Sequence, residues 1–207
     1  MDPLVILAFL GTAVALTLTP GPDILFVIAQ SISQNKQAGI ATALGLCSGL
    51  LVHIIAAAAG ISAIIYQSSI AFSAVKYAGA IYLLYLAWLA FRDKSKVGLS
   101  NGTSPFQYLA LYKKGIIMNL LNPKVSLFFL ALLPQFTSPE AGSVTIQMLT
   151  LGLVFLVQAL VIFSIVSIAA DKASRFVLEN PRVSRRMNVI QGGLFTIIGL
   201  QILFSEK

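Results

Sequence analysis

The sequence predicts an all-α membrane protein: six transmembrane helices forming two inverted three-helix repeats, with helices 1 and 4 broken at proline motifs near mid-membrane. Three observations carry this. Of 207 residues, 57% are hydrophobic and only 10% charged, against about 45–50% and about 25% in soluble domains. The apolar residues form long continuous runs without period-2 alternation, which selects helices over a β-barrel. Two of these runs are interrupted by proline, and each interruption carries a charge: Leu18-Thr19-Pro20-Gly21-Pro22-Asp23 and Leu121-Asn122-Pro123-Lys124.

At about 20 residues per span, six spans fit: roughly 4–32, 39–65, 70–91, 114–136, 145–170 and 187–204. The first begins Met1-Asp2-Pro3 and lacks the basic n-region of a secretory signal, so it reads as an uncleaved span. The connections differ sharply in charge. Lys36 follows span 1, Arg92, Lys94, Lys96, Lys113 and Lys114 follow span 3, and Lys172, Arg175, Arg182, Arg185 and Arg186 follow span 5. The intervening connections, 66–69 and 137–144, hold no basic residue. By the positive-inside rule the basic loops are cytoplasmic and both termini face outward. Basic loops beside spans are ordinary, which disfavours a nucleic-acid patch. The formal sequon Asn101-Gly102-Thr103 then faces the cytoplasm and should be silent.

Three spans precede the central basic loop and three follow it, so repeat one is 1–91, the loop 92–113 and repeat two 114–207, in a single membrane domain 1–207. An odd number of spans per repeat inverts the second against the first. Aligning Pro20 with Pro123 pairs Leu18 with Leu121, Thr19 with Asn122 and Phe26 with Phe129; Gly79 and Gly193 open spans 3 and 6, each followed by an aromatic, Tyr82 or Phe195. Counted at 1.5 Å per residue, both breaks lie roughly 15 Å deep, near the middle of a ~30 Å core. Proline frees carbonyls near residues 16–19 and 119–120. Such backbone is tolerable at that depth only inside protein or beside a water-filled cavity.

Matching broken helices point to a transporter's substrate site. The candidate binding residues are therefore Thr19, Pro20, Gly21, Pro22 and Asp23 in one break and Asn122, Pro123 and Lys124 in the other. Asp23 has two readings that do not exclude one another: a helix cap, or a group that meets a cation or carries a proton. Lys124 lies far from either end for snorkelling, which favours a charge in the cavity, paired with Asp23 or facing a carboxylate. Opposite charges at one depth suit a zwitterion, with Asp23 attracting an ammonium while Lys124, Asn122 and freed N–H groups hold the carboxylate. A direct Asp23–Lys124 ion pair without a ligand role is the competing reading.

His53 and Gln158 also fall near mid-depth; hydrogen-bonded packing is favoured for both over proton coupling or cavity lining. Tyr82 and Tyr85 read as bundle packing, Lys76 as a snorkelling residue, and Gly45 with Gly49 as a close helix contact within the chain rather than a dimer face. No metal site is expected: Cys47 and His53, six residues apart, point about 240° apart on a helix, and there is no second Cys or His. One cysteine also excludes an internal disulfide. There is no P-loop, so ATP hydrolysis within the chain is not indicated. No catalytic residue and no cofactor is indicated; the partners expected are a small-molecule substrate, protons and the lipid bilayer, with homo-oligomerisation left open.

These motifs carry a resemblance. Pro20-Gly21-Pro22-Asp23, Gly79-Ala80-Ile81-Tyr82-Leu83, Asn119-Leu120-Leu121-Asn122-Pro123-Lys124 and Pro134-Gln135-Phe136 stand in their expected spans, and the chain resembles the LysE/RhtB family of bacterial amino-acid exporters over nearly its whole length. The resemblance implies a six-helix bacterial inner-membrane exporter of amino acids or close derivatives, driven by the proton motive force. Many members carry an acidic residue just after the second-span glycine, where this chain has Leu50; that departure favours a neutral, homoserine- or threonine-like substrate. The alternatives are a cation or heavy-metal exporter of the same superfamily, poorly supplied with soft ligands here, and a non-transport protein such as an intramembrane enzyme or scramblase.

Overall fold

The computed structural model describes residues 1–60, 69–92 and 105–178, and scattered positions between 189 and 204. Among these every regular element is helical. The sixth expected span, the sequon, Lys94, Lys96, Arg182, Arg185 and Arg186 lie mostly or wholly outside the described residues.

Helix α1 (Pro3–Leu18) starts with proline at its first position, and Asp2 caps it by accepting from Leu4 N at 2.8 Å. It stops where it must: Thr19 precedes Pro20 and turns extended (ψ 125°), because the proline ring excludes the helical conformation before it. Helix α2 (Pro22–Ser33) follows at a 55° bend, again with proline at its first position. Helix α3 (Lys36–Ala58) is capped by Asn35, whose side chain accepts from Ala38 N at 2.9 Å. Helix α4 (Ser69–Arg92) ends in an aromatic girdle, with the Tyr85 ring 6.2 Å from Trp88 and the Arg92 guanidinium 4.7 Å above Trp88. Tyr85 is exposed on the outer face of α4 rather than packed in the bundle as expected.

The second half repeats the break. Helix α5 (Pro105–Leu120) ends before Leu121-Asn122, and α6 (Pro123–Leu127) restarts with proline first and Asn122 as cap, accepting from Lys124 N at 3.0 Å. The chain continues through a π-helical turn, Phe128–Leu132, and a 3-10 turn, Leu133–Phe136. Pro134 accounts for the irregularity, having no N–H to continue an α ladder. A further 3-10 turn, Pro139–Ala141, leads into α7 (Val144–Leu178).

Two boundaries differ from expectation. Helix α5 starts at Pro105, so Lys113 and Lys114 are helical and the connection 92–113 is shorter than its charge pattern suggests. Helix α7 runs on to Leu178 and carries Lys172 and Arg175. Lysine and arginine are good helix formers, so a helix need not end where its apolar stretch does. The prolines opening the second half-helices are Pro22 and Pro123, each at the first helical position, which puts Asp23 and Lys124 each at the second.

The tightest packing is between α3 and α5. A Cβ on Gly45 would collide with the Tyr112 carbonyl, and one on Gly115 would stand 2.6 Å from Thr42 O. Gly45 and Gly49 thus serve contact within the chain, as small residues do where membrane helices approach closely. At the end of the bundle where α2 turns into α3, Ser31 donates to Ser167 Oγ at 2.9 Å, Ser167 to Lys36 O at 2.8 Å, and Lys36 N to Asp171 at 3.1 Å. These bonds tie the first half to α7. At the opposite end Phe9, Phe128 and Phe136 pack together, with the Phe9 ring 5.7 Å and 5.3 Å from the other two, and Phe155 lies 4.8 Å from Phe128.

Candidate substrate site

The two breaks meet. Helix α1 ends at Leu18 and leaves the carbonyl of Thr19 outside the helical ladder, where it accepts from Lys124 Nζ at 2.8 Å, across from the other half of the chain. The second break frees Asn119 O, which receives His53 Nε2 at 3.2 Å as well as its own turn bond from Asn122 N. A carbonyl can only accept, so His53 carries its proton on Nε2 here; its ring stacks on Phe129, with centroids 5.9 Å apart. Each break therefore has a side chain from elsewhere in the fold satisfying the backbone it exposes, as low-dielectric surroundings require.

Asp23 is not the cap of α2. The capping position is Gly21, without a side-chain cap bond, and Asp23 sits one residue inside Pro22. Its Oδ2 accepts from Asn119 Nδ2 at 3.3 Å, and its Oδ1 has no hydrogen-bond partner among the described residues. Asp23 and Lys124 are close enough to interact electrostatically but make no direct ion pair: the lysine is held on Thr19 O, with its side chain against Gly21.

These groups line one cavity. Its polar wall is Thr17, Gly21, Asp23, Asn119, Asn122 and Lys124; its apolar wall is Leu16, Ile24, Leu50, Val125, Phe155 and Phe163. Leu50, the residue standing where an acidic group is a family expectation, is on that wall. The volume is about 20 Å³, room for about one water and far below the several hundred Å³ typical of ligand pockets. The cavity is narrow and partly open at Lys124, whose bond to Thr19 O is exposed.

Of the residues singled out from sequence, Gly21, Asp23, Asn122 and Lys124 line the cavity. Thr19 contributes its carbonyl to Lys124. Pro20 is exposed, Pro22 is buried, and Pro123 opens α6 with its side chain outside the described residues. His53 supports Asn119, and Gln158 donates to Thr17 Oγ1 at 2.9 Å; neither is on the cavity wall. Asn119 and Thr17 are the site residues that the sequence reading missed. Asn119 lies three residues before Asn122, on one face of an otherwise apolar segment, which is the signal that marks it.

The absence of a direct ion pair makes a prediction. The charge-swapped double variant Asp23→Lys with Lys124→Asp should fail to restore the transport lost in either single variant. An ammonium moved to position 23 would have no counterpart to Thr19 O, and a carboxylate moved to position 124 would face that carbonyl. Efflux recovered to near wild-type rate in the double variant would show mutual pairing to be all that matters.

A sequence model of the family described as LysE type translocator matches residues 14–206. Relatives include an uncharacterized membrane protein of Vibrio cholerae, 33% identical over all of both chains. A homoserine/homoserine lactone efflux protein of Salmonella typhimurium is 30% identical over 93% of this chain and 92% of its own length. An uncharacterized membrane protein of Bacillus subtilis is 28% identical over 95% of this chain and 97% of its own. No solved structure matches the chain. The family match spans nearly every element that builds the cavity, and the chain belongs to the LysE type translocators, membrane transporters rather than enzymes.

Proposed function

We propose that this protein exports neutral amino acids or close derivatives, of the homoserine or threonine type, across the bacterial inner membrane at the expense of the proton motive force. The observation that carries this reading is the meeting of two proline-broken helices over one cavity, with Asp23 and Lys124 at equivalent positions just inside the second half-helices. Asp23 attracts the α-ammonium, and Lys124, Asn122 and the uncapped N–H groups of α2 face the carboxylate. Asp23 and His53 are the groups available to carry a coupling proton. Leu50 on the wall, where a carboxylate would favour cationic side chains, supports a neutral substrate, and the homoserine-exporting relative supports that class.

The architecture that goes with it is six spans in two inverted repeats, 1–91 and 114–207, with the basic connections cytoplasmic and both termini outside. Alternating access then means rocking one repeat on the other, opening the Ser31–Ser167 seam toward the cytoplasm or the Phe9–Phe136 contact outward. The test is expression in a bacterial host lacking its own homoserine exporters. Cells carrying the protein should tolerate inhibitory homoserine and release it to the medium faster than vector controls. Equal tolerance and equal release at verified expression would contradict this reading.

A further inference from the structure

Helix α2 joins the cavity to one end of the bundle. Gly21, Asp23 and Ile24 at its start line the cavity, and Ser31 stands about 12 Å further along the helix than Asp23. Phe163 on α7 lines the cavity too, and Ser167 follows it one turn later. Ser31 and Ser167 are both fully buried, and they meet. The Ser31 hydroxyl donates to Ser167 Oγ, and Ser167 donates to Lys36 O. Asp171, one turn beyond Ser167 on the same face of α7, accepts from Lys36 N. Lys36, at the turn between α2 and α3, is thus held through both its N–H and its carbonyl by one face of α7.

Gly39 is what lets this contact close. A Cβ there would collide with the hydroxyls of both Ser31 and Ser167, and would stand 3.0 Å from Ser167 Cβ. Gly39 lies inside α3 and its φ is not positive, so backbone conformation does not call for glycine. Glycine inside a helix lowers stability; here it makes room for the two hydroxyls.

The seam also differs in kind from the packing at the far end of the same two helices. Its bonds join hydroxyl, carboxylate and peptide groups, which water can satisfy when they part, so breaking them costs little net free energy. At the other end a Cβ on Gly152 of α7 would stand 2.7 Å from Ile54 Cγ2 of α3. Water offers no substitute for apolar interdigitation of that sort. Helix α7 is therefore fastened to α3 at one end and only latched to it at the other.

Resting on the transport reading above, which makes the basic side cytoplasmic, we propose that Ser31, Gly39 and Ser167 form the gate between the cavity and that side, with Gly39 setting the balance between shut and open. The gate is shut in this structure. It opens when the Ser167 end of α7 parts from the α2–α3 turn, pivoting on the Ile54–Gly152 contact, and Phe163 draws back from the cavity as it does. A side chain at position 39 wedges it open.

The test uses the full-length protein and two kinds of variant. In Ser31→Cys with Ser167→Cys, the sulfurs replace oxygens 2.9 Å apart, within reach of a disulfide. Copper phenanthroline should link the pair in purified protein. Homoserine efflux from proteoliposomes should then fall at least about tenfold and return with dithiothreitol. Each single cysteine variant, with Cys47 retained, should ignore the oxidant, because Cys47 is buried at another level of α3. Ser31→Cys alone should react with a water-soluble maleimide roughly tenfold to a hundredfold faster when Gly39→Ala accompanies it, while efflux falls. Failure of the pair to oxidise would overturn the proposal, as would efflux undiminished by a formed disulfide, or equal maleimide reaction with and without Gly39→Ala. If Gly39→Ala does not fold, the disulfide pair decides alone. Absence of flux in the wild type would bring down the transport reading and the gate with it. Flux that is present but indifferent to the disulfide would overturn the gate and leave that reading standing.

Discussion

Asp23→Asn should reduce homoserine release by tenfold or more while leaving the protein folded. The two halves of this expectation have separate grounds. Folding is spared because Asp23 does not cap α2: the capping position is Gly21, and the hydrogen bond from Asn119 can be accepted by an asparagine oxygen of the same shape. Transport is lost because the substitution removes the negative charge on the cavity wall. A charge-assisted bond is worth about 1.5–3 kcal/mol, which corresponds to roughly tenfold to a hundredfold in rate. The measurement is efflux per unit of folded protein, with thermal unfolding in detergent run alongside. Unchanged efflux would make Asp23 a structural carboxylate; loss of folding together with efflux would return it to the helix-end role that its neighbours argue against.

The largest stability effect should come from the α3–α5 contact, not from the charged site. Gly45→Ala places a methyl against the Tyr112 carbonyl, with Tyr112 C 2.9 Å and Cα 3.0 Å away. Backbone cannot step aside as a flexible side chain can. Overpacking of this kind costs about 1–3 kcal/mol per added group, so Gly45→Ala should lower the unfolding temperature, and Gly45→Val should leave little folded protein. Gly115→Ala should behave alike, since its Cβ would meet Thr42 O at 2.6 Å and Leu46 N at 3.0 Å. Gly11→Ala is the control: nothing lies within 4 Å of the new methyl, and alanine is the better helix former, so no loss is expected. Equal unfolding temperatures for the Gly11 and Gly45 variants would mean that α3 and α5 do not pack this closely.

Much of the site was legible in the sequence because proline leaves a physical signature. Pro123 removes the donor that would meet Asn119 O, and Pro20 turns Thr19 out of the helix and leaves its carbonyl free; in the fold these two carbonyls find partners in His53 and Lys124. The close helix contact through Gly45 and Gly49 was legible for the same kind of reason, since a spacing of four puts both glycines on one face. What the sequence did not yield depends on three-dimensional placement. Counting from the first proline pairs Pro20 with Pro123, whereas Pro22 is the one that opens a half-helix, as Pro123 does; the sequence does not say which proline of Pro20-Gly21-Pro22 opens the second half-helix. Asn119 reads as part of a motif and not as a partner of Asp23, because that contact spans two helices far apart in sequence. The extension of α5 through Lys113 and Lys114 escapes a reading based on hydropathy, which marks where a bilayer begins and not where a helix does. The exposure of Tyr85 escapes it too, because the orientation of α4 is set by packing that no local pattern encodes.

The most direct test of the central claim, that the two broken helices form one amino-acid site coupled to protons, is flux in proteoliposomes. Purified protein would be reconstituted in vesicles preloaded with labelled homoserine, and release followed with and without an imposed pH gradient. The account predicts exchange of labelled for unlabelled homoserine without a gradient and net movement when the gradient is applied, with net movement lost in Asp23→Asn. Absence of both exchange and net movement for homoserine and for every other amino acid tried would contradict it.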